Sequence, residues 1–296
     1  MALFGRFRPW WRRCAPVPSD IADPRAAHAP LAIALLPGYH GPGRRRGPAR
    51  RNQRNANIAH FQMPSNPILN AHERPKDGCT RCGECCLAGG PALHREDLPR
   101  LAPNGPIEHA HIVTLRAGEV AWDQPRQRLA PLEQEMLKIK GRGGSWACRF
   151  YASESGGCAI YEERPEECRV LFCREPGPLA EMYDKGRLTR ADLLPAGHPV
   201  LELLAEHDRR CPPARMAEAA ELTGADLEHM APKLAAMVDF DERLRQRLTD
   251  EAGIDPAHLD FLLGRPAKAL LAALGLRLSG EGDTARLSRV DRTDAT

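Results

Sequence analysis

The chain has 296 residues, of which 42% are hydrophobic and 27% charged, and its formal net charge is +3. This is an ordinary balance for one or two domains with a buried core. The longest apolar stretch, residues 31–36, is far shorter than the roughly 20 residues that span a bilayer, so we expect no transmembrane helix and no membrane partner.

Residues 1–62 differ in composition from the rest of the chain. They hold eleven arginines against two aspartates, a net charge of +9, which leaves −6 for the remainder. Eight prolines, the absence of Lys, Glu and Thr, and the lack of any helical or alternating pattern predict a disordered tail. The arginines are compatible with a nucleic-acid patch, but such a composition is also typical of translated GC-rich upstream DNA. Our hypothesis is therefore that the native protein starts at Met63.

The basic residues before the apolar stretch resemble the start of a secretory signal, but the apolar part is too short and is followed by proline. We therefore expect a cytoplasmic protein with reduced thiols. The acidic remainder of the chain argues against DNA or RNA as a partner.

The chain after Met63 contains recognisable elements. Residues 65–78 read as an extended lead-in to a run of cysteines. Residues 111–122 predict a short hairpin that turns at Ala117 and Gly118, and residues 131–140 predict one helix that ends at Gly141.

The C-terminal part reads as helical. Apolar residues at helical spacing predict helices over residues 199–207, 214–222, 233–250 and 268–276. Asp255 followed by Pro256 is a typical helix start, and Gly264 followed by Pro266 indicates a stop and a restart. Residues 279–296 are polar, and we expect them to fray.

Eight of the ten cysteines lie within one stretch of about a hundred residues. The first four form the run Cys79, Cys82, Cys85 and Cys86, which doubles the Cys-x-x-Cys spacing found in zinc and iron–sulfur sites. Adjacent side chains diverge, so Cys85 and Cys86 are not expected to bind one mononuclear ion. The run therefore indicates two centres or one polynuclear cluster.

Four more thiols follow after a gap that a folded domain closes easily. They are Cys148, Cys158, Cys168 and Cys173. Eight thiols suffice for two sets of four ligands. A zinc ion with four thiolates and an oxidised [4Fe-4S] cluster with four thiolates each carry a charge of −2, so the charge of the site does not distinguish zinc from iron. We expect nearby arginines to offset this charge; the alternative is that they are ordinary surface residues, and their number favours the first interpretation. They are Arg81, Arg149, Arg164, Arg169 and Arg174.

This combination of motifs resembles a known family. The run from Cys79 to Cys86, then Cys148-Arg-Phe, Gly-Cys158-Ala-Ile-Tyr-Glu-Glu-Arg-Pro and Cys168-Arg, is similar to the bacterial YkgJ family of cysteine-cluster proteins over roughly residues 75–175. The resemblance implies a domain that chelates zinc or iron. One branch of that family, the flagellin lysine N-methylases, implies an alternative use of S-adenosylmethionine.

We accordingly expect an α+β protein with a small, loop-rich metal domain of short strands and an all-helical C-terminal part. The predicted boundaries are residues 1–66 for a disordered tail, 67–175 for the cysteine-cluster domain, 176–277 for the helical region and 278–296 for a flexible tail.

Three functions remain open on the sequence. The preferred one is a metal-binding protein, iron–sulfur or zinc, with a redox or maturation role toward an unidentified protein partner. The others are a methylase-like modifying enzyme and a zinc-stapled interaction module. Catalysis is uncertain, because the sequence has no Gly-x-Gly-x-Gly loop, phosphate loop or His-Glu-x-x-His motif.

Other polar residues have structural interpretations. Two interpretations are open for Tyr161, Arg164 and Glu166. They form a polar site beside the metal or, as we prefer, a turn whose arginine is paired locally. His109 and His111 flank the expected hairpin and are interpreted as surface residues.

Three further positions carry weaker expectations. Lys138 and Lys140 are assigned to a solvated helix face. Cys211 is interpreted as a spare thiol or a substitute ligand, and the remaining cysteine, Cys14, lies in the tail.

Overall fold

The computed structural model describes residues 81–152, 154, 157–172 and 175–290. The predicted tail over residues 1–66, the lead-in, Cys79, Cys173 and Arg174 lie outside these residues. Within them the fold is α+β, as predicted, with short strands, many loops and a largely helical C-terminal part.

Four strands form a bent antiparallel ribbon. They are β1 (Ile112–Leu115), β2 (Val120–Asp123), β3 (Arg128–Pro131) and β4 (Met136–Ile139). β1 pairs with β4, with Ile112 opposite Ile139, and β2 pairs with β3. The amide of Gly118 donates to the carbonyl of Leu132 (2.8 Å) and continues the ladder between the two pairs. The ribbon is therefore one long hairpin with a bend at Gly118.

Two predictions for this region were wrong. The strands of the expected hairpin over residues 111–122 exist, but Gly118 marks a bend, and the reversal comes later, between β2 and β3. The helix expected over residues 131–140 is instead the end of β3 and all of β4. Local propensity favoured a helix, but Leu137 and Ile139 are buried and the strand pairs with β1, so tertiary burial overrides propensity.

Short elements contain or flank the described cysteines of the predicted metal domain. They are α1 (Glu84–Ala88), β5 (Tyr151–Ala152), β6 (Gly157–Cys158) and α2 (Glu166–Val170), with 3-10 turns at Arg95–Leu101, His109–His111 and Tyr161–Glu163. β5 and β6 pair with Tyr151 opposite Cys158.

The C-terminal part consists mainly of helices. They are α3 (Gly177–Met182), α4 (Arg190–Leu193), α5 (Pro199–Arg210), α6 (Pro213–Glu221), α7 (Gly224–Asp250), α8 (Leu259–Leu263) and α9 (Ala267–Ala273), with a 3-10 turn at Pro256–His258. The helices predicted over residues 199–207, 214–222, 233–250 and 268–276 are confirmed as α5, α6, most of α7 and most of α9. The carboxylate of Asp255 accepts from the amide of Ala257 (2.8 Å), which confirms the predicted cap.

The flexible tail expected from residue 278 was wrong up to residue 290, and residues 291–296 lie outside the description. β7 (Leu276–Ser279) and β8 (Arg286–Arg289) form a hairpin, with Leu278 opposite Leu287 and a 3-10 turn at Gly282–Thr284. Leu276 and Leu287 are buried in the same core as α7 and α9, so a few apolar residues in a polar stretch suffice to dock it. The C-terminal part is thus not all helical.

The largest core joins the ribbon to the helices. Leu93, Leu137 and Cys148 are buried there together with Phe261 and Leu263. The two parts on either side of residue 175 therefore pack on each other, while the boundary itself stays a prediction. No helix within the described ranges combines the length and apolarity needed to cross a membrane.

A buried ionic network reinforces this junction. Arg116 is almost fully buried, and its Nη1 donates to the carbonyl of Cys211 (2.9 Å) and to the carboxylate of Asp208 (3.3 Å). Nε2 of His207 lies 2.8 Å from the carboxylate of Asp241, which also accepts from Arg245. Burial alone would raise the pKa of Asp241, but the hydrogen bond from His207 and the charge of Arg245 lower it to about 2.

Candidate metal centre

Helix α1 presents the first thiols. Cys82 is exposed and precedes α1, which contains Cys85 and Cys86. Gly83 adopts a left-handed conformation (φ 82°), and a Cβ at this position would lie 2.5 Å from the ring of Tyr151. Only glycine fits this position without strain, so the Cys-Gly-Glu-Cys-Cys sequence permits the close packing of α1 on β5.

Two further thiols lie beside α1. The amide of Cys148 donates to the carbonyl of Cys86 (2.7 Å), which ties together residues that are 62 positions apart in the printed sequence. The hairpin of β5 and β6 then carries Cys158 opposite Tyr151. The amide of Ala159 donates to the carbonyl of Phe150 (2.8 Å) and holds this hairpin closed.

Cys168 comes from α2. The helix is fixed by Glu167, whose carboxylate accepts from the amide of Ala92 (2.7 Å) and lies 3.2 Å from Nε2 of His94. At the N-terminus of α2, the amide of Glu166 donates to the fully buried carboxylate of Asp97 (2.8 Å). Segment 92–97 thus positions α2, and with it the thiol of Cys168.

The thiols act on one another electrostatically. The side-chain hydrogen bond between Cys85 and Cys86 lowers the pKa of Cys85 to about 6 and raises that of Cys86. Burial raises the pKa of Cys168, and the charges of Cys85, Cys148 and Cys158 raise it further. The charges of three other thiols therefore reach Cys168, so each thiolate that forms nearby disfavours a further one there.

The gathered thiols match the donor set that zinc and iron prefer, but they are not closed into a coordination sphere. In residues 81–152, 154, 157–172 and 175–290, no three Cys, His, Asp or Glu side chains are already arranged to hold an ion. Two of the predicted ligands, Cys79 and Cys173, lie outside these ranges. The structure therefore brings together Cys85, Cys86, Cys148, Cys158 and Cys168, with Cys82 exposed three residues before Cys85.

Lys138 faces the thiols, which the sequence interpretation missed. It lies on β4, half-buried, and not on a solvated helix face. Burial lowers its pKa, while the charges of Glu167, Cys168 and Cys148 oppose that effect. Lys140 also belongs to the strand region, where its ammonium donates to the carbonyl of Ala257 (3.0 Å). Strand alternation places Lys138 on the face opposite Leu137 and Ile139, so its position beside the thiols follows from the fold and not from the local sequence.

The described arginines near the cysteines make other contacts. The guanidinium groups of Arg81 and Arg164 lie over the ring of Tyr161, at 3.8 and 4.0 Å from its centroid. Arg164 donates to the carbonyl of Tyr161 (2.7 Å), and Arg169 donates to the carbonyls of Glu162 and Arg164. The structural interpretation of Arg164 is supported, because its contacts brace the turn before α2.

The remaining candidates pack elsewhere. His109 stacks on Phe261 with ring centroids 4.4 Å apart, and His111 meets Phe150 edge-on at 5.1 Å. Cys211 is fully buried at the end of α5, where its thiol donates to the carbonyl of Met237 (3.3 Å). These residues support the core and the helical part.

Comparison with protein-family models identifies the same segment. Residues 78–182 match the family model CxxCxxCC, described as "Putative zinc- or iron-chelating domain". The comparisons with curated proteins and with solved structures found no match to the chain. The matched segment contains the eight clustered cysteines and the turn at Tyr161, so this part of the chain is similar to a domain that chelates zinc or iron.

Proposed function

We propose that the chain is a metal-binding protein whose thiols hold an iron–sulfur cluster or zinc. The proposed ligands are Cys79, Cys82, Cys85, Cys86, Cys148, Cys158, Cys168 and Cys173. Its proposed role is that of a redox or maturation accessory, in which the metal centre serves a partner protein.

The convergence of three cysteine-bearing segments carries this proposal. α1, the segment at Cys148 and α2 are far apart in sequence. The amide of Cys148 donates to the carbonyl of Cys86 in α1, and α2 is held by the carboxylate of Glu167, which accepts from the amide of Ala92. Burial raises the pKa of Cys168, and the hydrogen bond with Cys85 raises the pKa of Cys86; the charges of neighbouring thiols raise both further, which disfavours thiolates in the absence of a cation. A bound metal would reverse this effect, because it stabilises the thiolate form of each ligand.

The choice between iron and zinc rests on the cysteine run. The doubled Cys-x-x-Cys spacing, followed directly by Cys86, places several thiols close together, which suits a polynuclear cluster better than one ion. This favours iron–sulfur, and the similarity to a zinc- or iron-chelating domain supports either metal.

Anaerobic purification followed by metal analysis and visible absorption tests the proposal. A brown protein with iron and acid-labile sulfide supports a cluster, and a colourless protein with bound zinc supports a zinc site and the interaction-module alternative. A Cys168→Ser variant should lose metal. The matched control is Cys211→Ser, which alters a buried thiol outside the cluster and should retain it.

The methylase-like alternative has its own test. Calorimetric titration of the metallated protein with S-adenosylmethionine should show no binding heat. Saturable binding would favour that alternative over an accessory role.

A further inference from the structure

We propose that Lys138 is a positioning residue of the metal centre, whose ammonium group offsets the negative charge of the metal-bound thiolates and strengthens metal binding. This inference rests on the proposed function and concerns a residue on β4 that carries no ligand atom. It assigns the charge compensation to one half-buried lysine, where the sequence analysis expected nearby arginines.

Backbone pairing connects Lys138 to α2. On one side it lies opposite Val113 of β1, and on the other it forms a bridge with Ala92. The amide of Ala92 donates to the carboxylate of Glu167 (2.7 Å), and Glu167 directly precedes Cys168. The lysine is therefore held next to the segment that anchors the helix of Cys168.

Packing connects the same side chain to the other two cysteine segments. A Cβ on Gly89, at the end of α1, would lie 3.9 and 4.0 Å from Cε and Nζ of Lys138. The same Cβ would lie 3.8 Å from the carbonyl oxygen of Trp146, two residues before Cys148. The ammonium thus lies where the end of α1, the approach to Cys148 and the anchor of α2 meet.

The charges around Lys138 fit this role. Burial lowers the pKa of Lys138, and the charge of Arg187 lowers it further, while the carboxylate of Glu167 and the thiols of Cys168 and Cys148 favour the cationic form. A centre of four thiolates with a divalent ion retains a charge of −2, so its negative charge would stabilise this ammonium group further once metal is bound. Arg81 and Arg164 are stacked on Tyr161 and do not take this place.

The test compares Zn²⁺ binding by the full chain in four forms at one fixed pH. Lys138→Met removes the charge and keeps the aliphatic stem, Lys138→Arg keeps the charge, and Lys140→Met removes a lysine that instead contacts Ala257 and Asp260. Competition with a chelator gives the affinities. We expect Lys138→Met to bind Zn²⁺ about 10- to 100-fold more weakly, as is usual for residues that support metal ligands. Lys138→Arg should recover most of the loss, and Lys140→Met should match the wild type.

Urea denaturation of each metal-free form separates folding from metal binding. If Lys138→Met does not fold, Lys138→Gln replaces it with the same expectation. Normal Zn²⁺ affinity in the folded charge-removing variant would overturn this inference and leave the proposed function standing. Absence of thiol-dependent Zn²⁺ binding in the wild type would overturn this inference, and the proposed function would fall with it only if the anaerobically purified protein also lacks iron and sulfide.

Discussion

Replacing Gly83 by alanine should destabilise the protein by moving α1 away from β5. The residue has a φ of 82°, and its new Cβ would lie 2.5 Å from Cε2 and Oη of Tyr151. The left-handed conformation costs alanine about 1–2 kcal/mol. Relieving the contact adds about 1–3 kcal/mol, as overpacking usually does. We therefore expect a total loss of about 2–5 kcal/mol in the free energy of unfolding.

Gly143 supplies a matched control. Its φ is 60°, and nothing lies within 4 Å of the position of a Cβ. Gly143→Ala should therefore incur only the backbone cost, and the difference between the two variants measures the contact with Tyr151. Urea denaturation of metal-free protein gives both free energies. Equal destabilisation by the two substitutions would refute the packing of α1 on β5, and with it the placement of α1 beside the hairpin that carries Cys158.

Three further predictions address charge, core and thiol access. Because the pKa of Asp241 is lowered from 3.8 to about 2, its contribution of about 2 kcal/mol to stability should be complete above pH 4 and disappear as the pH falls toward 2. Asp241→Asn should remove this part of the acid dependence of unfolding, and an unchanged pH profile would contradict the assignment. Leu137→Ala should lose about 2–5 kcal/mol in urea denaturation, while Leu129→Ala, which is exposed, should stay close to the wild type; similar losses would contradict the assigned core. In metal-free protein, mass spectrometry after brief iodoacetamide treatment should find Cys85 modified before Cys211, and modification of Cys211 first would contradict the exposure of α1. Added Zn²⁺ should protect Cys85 from modification.

The helices could be predicted from the sequence because each presents a clear local signal. In α7, Leu234, Val238 and Leu248 repeat at helical spacing, and all are buried as that spacing requires. Asp255 and Pro256 likewise define a start through a hydrogen bond within two residues. Such signals depend only on neighbouring positions, so a helix can be predicted from them without knowledge of the tertiary fold.

The ribbon could not be predicted in the same way. β4 is a strand because Leu137 and Ile139 pair with and pack beside β1, more than twenty residues earlier, and nothing local to Glu133–Lys140 specifies that partner. The helical assignment also placed Lys138 on a solvated face, whereas it lies half-buried on β4. The choice of turn at Gly118 failed because a positive φ serves a bend as well as a hairpin tip.

The cysteine spacing identified the candidate site, while the arrangement of the thiols required the fold. Cys85, Cys148 and Cys168 come together through a backbone hydrogen bond to Cys86 and through the carboxylate of Glu167 on Ala92. Neither contact has a sequence signature. The assignments of Cys79 and Cys173 stay predictions, since both residues lie outside the described ranges.

X-ray absorption spectroscopy at the metal edge of anaerobically purified protein tests the central claim most directly. We expect a coordination shell dominated by sulfur at about 2.3 Å, and its loss in Cys168→Ser but not in Cys211→Ser. A shell of nitrogen and oxygen only, or a protein that acquires no metal while its thiols are reduced, would contradict metal binding by these cysteines.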